Sequence, residues 1–204
     1  MIKILIADDH KIVRLGLLAL FESEPNMSVV AQAEDGQDAV RKTATCHPDI
    51  AILDLMMPKM DGITAIAKLR ETRPGIRIVA LTSFSTSDML IQAQNAGADA
   101  VVLKTDNDSI ILKAIREISV GRKYLSPEVK GLLKSDPPLP SLSNRQQALL
   151  ESMARGLSNT DISRQLGIST NMVREHSSAL FAKLRAANRT EAVAIALRKH
   201  LLKI

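Results

Sequence analysis

The chain has 204 residues, 46% of them apolar, one cysteine and a formal net charge of +5 at neutral pH. That composition argues against global disorder and rules out a disulfide framework. No uninterrupted apolar run approaches the roughly 20 residues of a membrane-spanning helix.

The length suits one or two domains. The lone Cys46 fits a reducing, cytoplasmic setting, and the opening MIKILIADDH is too short and too acidic for a signal peptide. Charge is divided unevenly, −3 over residues 1–121 and +8 over residues 122–204. Such a split predicts two modules with different partners, the basic one suited to nucleic acid or carrying only a solvated basic surface.

In chain order, the first part alternates strand and helix signals. Strands are predicted at Lys3–Ala7, Ser28–Ala33, Ile50–Leu53, Arg77–Leu81 and Ala100–Leu103. Helices are predicted near Lys11–Ser23, Gly36–Thr45, Thr64–Glu71, Thr86–Ala96 and Asn107–Ser119. Short runs of Ile, Val and Leu fit parallel strands buried on both faces. The expected fold class is therefore α/β, a doubly wound five-stranded parallel sheet of flavodoxin-like order, followed by a small all-α module. Ser126-Pro127-Glu128 starts a short helix through about Lys134, and Pro137, Pro138 and Pro140 make a stiff linker. The expected boundaries are 1–121 for the α/β module, 122–142 for the linker and 143–204 for the helical module.

Chemistry gathers where ligands bind in open parallel sheets, outside the carboxyl ends of the strands. Asp8 and Asp9 follow the first strand and Asp54 the third. Thr82 follows the fourth and Lys104 the fifth. Three carboxylates repel one another, and a divalent cation relieves that; oxygen-only ligands favour Mg²⁺. An aspartate can also act as a nucleophile toward phosphorus, and Lys104, Thr82 and backbone N–H groups near Met56 are donors for the new phosphoryl oxygens. Each residue has an ordinary reading too. Asp8-Asp9 suits a helix N-terminus, Asp54 and Thr82 suit caps, and Lys104 suits a surface.

The second part is helical, with polar breaks at Gly156–Ser158, Gly167–Ser169 and Ala186–Arg189. GLSNTDISRQLGISTNMVREHSSALFAKL carries a helix-turn-helix pattern. Ser158 with Asp161 starts one helix, Gly167 turns the chain, and Ser169 caps a second helix from Thr170 to about Leu184. The outward face of that helix is expected to hold Asn171, Met172, Arg174, Glu175, Ser178 and Lys183, a set suited to base edges and phosphates or to plain solvation. His176 falls between inward-facing Val173 and Leu180 and reads as a half-buried histidine rather than a ligand. The last helix, Glu191–Leu202, is apolar on more than one face, which suits either a buried core helix or a twofold partner.

ILIADDH, LDLMMPKMDG, ALTSF and VVLK resemble the receiver domain of bacterial response regulators, and DDHKIVRLGLLALF resembles the NarL/LuxR subfamily. NRTEAVAIAL and the helix-turn-helix stretch resemble the LuxR-type DNA-binding domain. The resemblance implies that a sensor histidine kinase phosphorylates Asp54. It implies that Asp8 and Asp9, beside Asp54, hold Mg²⁺ with the Met56 carbonyl, and that Thr82 and Lys104 sense the phosphoryl group. Arg174, Glu175 and Ser178 would take the principal groove-facing positions, flanked by Asn171 and Lys183, on double-stranded DNA. A homodimer would form through the last helix, the receiver or both. No enzyme activity beyond accepting and losing a phosphoryl group is implied.

Departures matter. Val101 stands where the family often has an aromatic switch residue, so coupling is expected to be weaker or carried by aliphatic repacking. That leaves an alternative, a phosphorylation-independent DNA-binding regulator whose receiver mainly dimerises. LSNRQQALL has Asn144 and Gln146 where a proline and a glutamate are usual. A phosphatase of the haloacid-dehalogenase type would need an acid where Met56 stands. Met56 and Phe84, flanking the phosphoryl group by the same resemblance, cannot orient an attacking water. Slow self-dephosphorylation is predicted; a phospho-Asp54 half-life of only seconds, without a phosphatase, would contradict it.

Overall fold

A computed structural model of the chain describes residues 1–83, 86–135, 138, 142–199 and 201–202, and divides the chain into two compact units, Met1–Pro137 and Pro138–Ile204. Phe84, Pro137 and Pro140 lie outside the described residues.

The first unit alternates β1 (Ile2–Ala7), α1 (Lys11–Glu22), β2 (Met27–Ala33), α2 (Gly36–Cys46), β3 (Ile50–Asp54), α3 (Gly62–Thr72), β4 (Arg77–Thr82), α4 (Ser87–Ala96), β5 (Ala100–Leu103) and α5 (Asp108–Ser119). Every residue of β3 and β5 is buried, as expected of central parallel strands covered on both faces. Two apolar layers result. Leu5, Leu53, Ile66 and Ala80 pack on one face of the sheet; Ile4, Phe21, Ile52 and Ile115 pack on the other.

The sheet has six parallel strands, in the order β2-β1-β3-β4-β5-β6, rather than the five expected. The extra strand β6 is Tyr124–Leu125, paired with β5. After α5 the chain turns at Gly121 (φ 83°). Tyr124 N then donates to Asp99 O at 3.0 Å and Ser126 N to Val101 O at 3.1 Å, covering the free edge of β5. Two residues carry no periodicity, so no sequence pattern marks such a strand. Helix α6 (Pro127–Ser135) follows, and its Val129 is fully buried in the same apolar cluster as Val101, Met89 and Leu90. Residues 124–135 thus pack with the α/β unit.

The second unit contains α7 (Asn144–Ala154), α8 (Asn159–Leu166), α9 (Thr170–Leu184) and α10 (Arg189–Arg198). All four have side-chain N-caps, from Ser143, Ser158, Ser169 and Asn188, each worth about 1 kcal/mol. Gln146 stands where glutamate is usual, and its Oε1 accepts from Ser143 N at 3.0 Å, completing the capping box. Between α8 and α9 the chain turns at Gly167, whose φ of 64° suits glycine. Ile162, Val173, Leu180, Leu184, Ala192 and Ala196 form the small core. Helix α10 stops at Arg198, short of the expected Leu202, while Leu201 N returns to Ala196 O at 2.9 Å. Leu197 on it is 43% exposed.

Candidate functional site

The order β2-β1-β3 reverses direction between β1 and β3, and in open parallel sheets ligands bind outside the carboxyl ends of the strands at such a switch point. Asp8 leaves β1 there, Asp54 ends β3, Thr82 ends β4 and Lys104 follows β5. Asp8 and Asp54 are 1% and 3% exposed and Thr82 is fully buried. The N-terminus of α3 crowds the end of β3: a Cβ on Gly62 would stand 2.0 Å from the Asp54 carbonyl oxygen, so only glycine lets the two meet.

The Lys104 ammonium lies 2.7 Å from Asp8 Oδ2 and 2.8 Å from Asp54 Oδ2. Met56 N donates to Asp54 Oδ1 at 3.3 Å, and Lys104 N donates to the Thr82 carbonyl at 2.8 Å. Burial pushes the Asp54 carboxyl above the ordinary carboxylate range, although Lys104 pulls the other way. Burial pulls the Lys104 ammonium down, but its contacts to Asp54 and Asp8 outweigh that and hold it above the usual lysine range.

Asp9 is exposed, and its Oδ1 lies 2.7 Å from His10 Nδ1. Asp8, Asp9, His10 and Asp54 each offer one ligand atom, all within 4.8 Å of one another, so the cluster could hold a metal ion. Its donor chemistry fits a hard cation, because carboxylate oxygens dominate. Among the described residues, the buried Asp8 Oδ2 meets the Lys104 ammonium as an ion pair. Met56 is 38% exposed.

Two neighbours have no obvious mark in the sequence. Arg14 of α1, 8% exposed, donates from Nη1 to the Asp8 carbonyl and from Nη2 to Glu34 Oε1, both at 2.7 Å. Asp35 caps α2 and pairs with Lys59 Nζ at 2.7 Å; that hydrogen bond, with the one from Asp38 N, holds its carboxyl below the ordinary range. The only signal for Arg14 is its place one turn after DDH.

On α9, Asn171, Met172, Arg174, Glu175 and Ser178 are exposed. Asn171 Nδ2 donates to Glu175 Oε1 at 3.1 Å. Lys183 sits apart, half-buried, its Nζ donating to Gln146 Oε1 of α7 at 3.0 Å. His176 is half-buried, and among the described residues its Nε2 has no hydrogen-bond partner. Among the described residues, no helix is long and apolar enough to cross a membrane.

Residues 4–116 match the response regulator receiver domain family, and residues 140–196 match the luxR family of bacterial regulatory proteins. The chain is 35% identical to the transcriptional regulatory protein LiaR of Bacillus subtilis, over 99% of this chain and all of that one. It is 32% identical to the response regulator protein VraR of Staphylococcus epidermidis, over 98% and 99% of the two chains. Among solved structures, RcsB of Salmonella enterica serovar Typhimurium, bound to a promoter in the presence of a phosphomimetic, aligns with a TM-score of 0.75 at 25% identity over 97% and 98% of the chains. The chain belongs to the NarL/LuxR-type response regulators, with a receiver domain followed by a LuxR-type DNA-binding domain.

Proposed function

We propose that this protein is a transcription factor switched by phosphorylation of Asp54 by a sensor histidine kinase. The observation that carries the reading is the Lys104 ammonium bridging Asp8 and Asp54 at the ends of different strands. That arrangement sets one ammonium between two buried carboxylates held close together. In the reaction Asp54 attacks phosphorus: one carboxylate O–P bond forms, and the donor's bond to phosphorus breaks with its leaving group. Asp8, Asp9 and the Met56 carbonyl, beside Asp54, are the groups that would hold Mg²⁺. Bound there, the ion would neutralise crowded negative charge on carboxylates and incoming phosphate. Met56 N, 3.3 Å from Asp54 Oδ1, supplies a donor for a phosphoryl oxygen. Lys104 and Thr82 supply the rest and report the modification toward α4 and β5. The α/β unit is then the receiver, and the helical unit the DNA-binding module that it masks or pairs.

Incubation with Mg²⁺ and acetyl phosphate, followed by mass and oligomeric state, tests this. One phosphoryl increment with a change of assembly supports it. No increment with any small phosphodonor or kinase overturns it. The buried aliphatic Val101 favours a second reading, DNA binding independent of phosphorylation; operator affinity unchanged by labelling would select it.

On DNA, the exposed Arg174, Glu175, Ser178 and Asn171 are the proposed groove-facing set, with Lys183 at its margin. Arg174→Ala is expected to weaken operator binding. If its contact is to phosphate, the slope of log affinity against log salt falls by about one. Unchanged affinity and slope would remove Arg174 from the interface. A twofold copy, meeting through α10 or the receiver, would place two such helices on paired half-sites.

A further inference from the structure

The end of β1 poses a mechanical problem. Asp8 N makes the last ladder bond, to Ala33 O at 3.2 Å, and β1 ends at Ala7. Beyond it the chain turns into α1, and the Asp8 carbonyl belongs to no strand pairing. The peptide plane between Asp8 and Asp9 sets the directions in which both carboxylates leave the backbone.

We infer that Arg14 is a positioning residue for the magnesium site: it fixes the Asp8–Asp9 peptide through the Asp8 carbonyl, with Glu34 as its anchor. The inference rests on the phosphoacceptor reading above. One prong of the guanidinium holds the carbonyl at 2.7 Å and the other holds Glu34 at 2.7 Å. Taking a guanidinium almost wholly out of water is costly unless its donors are used, and here two of them span two strand ends. A planar fork does this where a point charge cannot. The turn it reaches is itself fixed. Asp35, next to Glu34, pairs with Lys59, and Gly36 N donates to Met60 O at 3.1 Å. The β2–α2 turn therefore ties down both the β1 end and the β3–α3 loop, the two segments that carry the proposed ligands. Glu34 bonds to the Arg14 guanidinium, so its influence on the ion would run through Arg14.

Isothermal calorimetry of Mg²⁺ binding to the full chain tests this, alongside thermal unfolding in EDTA. Arg14→Ala and Arg14→Lys are expected to weaken Mg²⁺ binding by roughly 10- to 100-fold, the usual effect of removing a support behind metal ligands. Glu34 is exposed, so Glu34→Ala should leave the EDTA unfolding temperature unchanged and still weaken Mg²⁺ binding by about threefold or more. This variant keeps the test open if Arg14→Ala fails to fold. A purely structural Arg14 would lower the unfolding temperature and leave the affinity of the folded protein alone. Mg²⁺ affinity within about twofold of wild type in both Arg14→Lys and Glu34→Ala overturns the inference. Absence of Mg²⁺ binding by the wild type would instead bring down the phosphoacceptor reading beneath it.

Discussion

Asp54→Asn will leave the protein unlabelled by acetyl phosphate and, in magnesium-free buffer, make it more stable by about 1 kcal/mol. The two effects have one cause. Asp54 is 3% exposed, and burial raises its carboxyl above the ordinary range. A folded-state pKa above the unfolded one means that the ionised group costs stability once the pH exceeds the unfolded value. That cost is largest above the raised pKa and disappears as the pH falls below the unfolded value. Lys104 offsets only part of it, because one ammonium serves two carboxylates. Asparagine has nearly the same shape and keeps an oxygen for Met56 N, but carries no charge and is a poor nucleophile. It leaves Asp8 and Lys104 as a balanced pair. Mass spectrometry after labelling and urea unfolding in EDTA check both halves. Full labelling of the variant would put the acceptor elsewhere; a loss of stability would mean that the apo site is not strained by its own charge.

What the sequence made legible follows from periodicity. Asp8, Asp54, Thr82 and Lys104 each end an apolar run, and an all-parallel sheet brings such ends to one edge, so the sequence itself implies their meeting. The turn from α8 to α9 was legible for a similar reason, since Gly167 and Ser169 carry local backbone chemistry. Features set by long-range reach were not. Tyr124–Leu125 is too short for a pattern, and only the open edge of β5 makes it a strand. Arg14 looks like a surface cation in a helix, yet its fork is drawn under the β1 end by an unpaired carbonyl and Glu34. Lys183 lies one helical step from the outward face, but Gln146 across the unit captures its ammonium. For Arg14 and Lys183, side-chain length rather than spacing determines the contact, with Glu34 and Gln146 lying 20 and 37 residues away.

Lys104→Ala acts in the opposite direction from Asp54→Asn. It removes the positive charge and leaves Asp8 and Asp54 both buried and facing each other. Breaking a buried pair by deleting one partner typically costs about 3–5 kcal/mol, and here one cation is lost to two anions. A loss of about 3 kcal/mol is expected in EDTA at neutral pH, the low end because Lys104 itself is 11% exposed and water can enter. Asp54, already raised by burial, loses its opposing ammonium, so the deficit should shrink as the pH falls and its carboxyl is neutralised. Magnesium should do the same at neutral pH, because an ion that binds only the folded state adds stability in proportion to the logarithm of its concentration. Without a competing ammonium, the variant should bind Mg²⁺ about tenfold more tightly than wild type. Urea unfolding over a series of Mg²⁺ concentrations separates these effects. Equal stability of variant and wild type in EDTA would show that the bridging contacts contribute nothing. A stability deficit that Mg²⁺ leaves untouched would show that the carboxylates are not the ion's ligands.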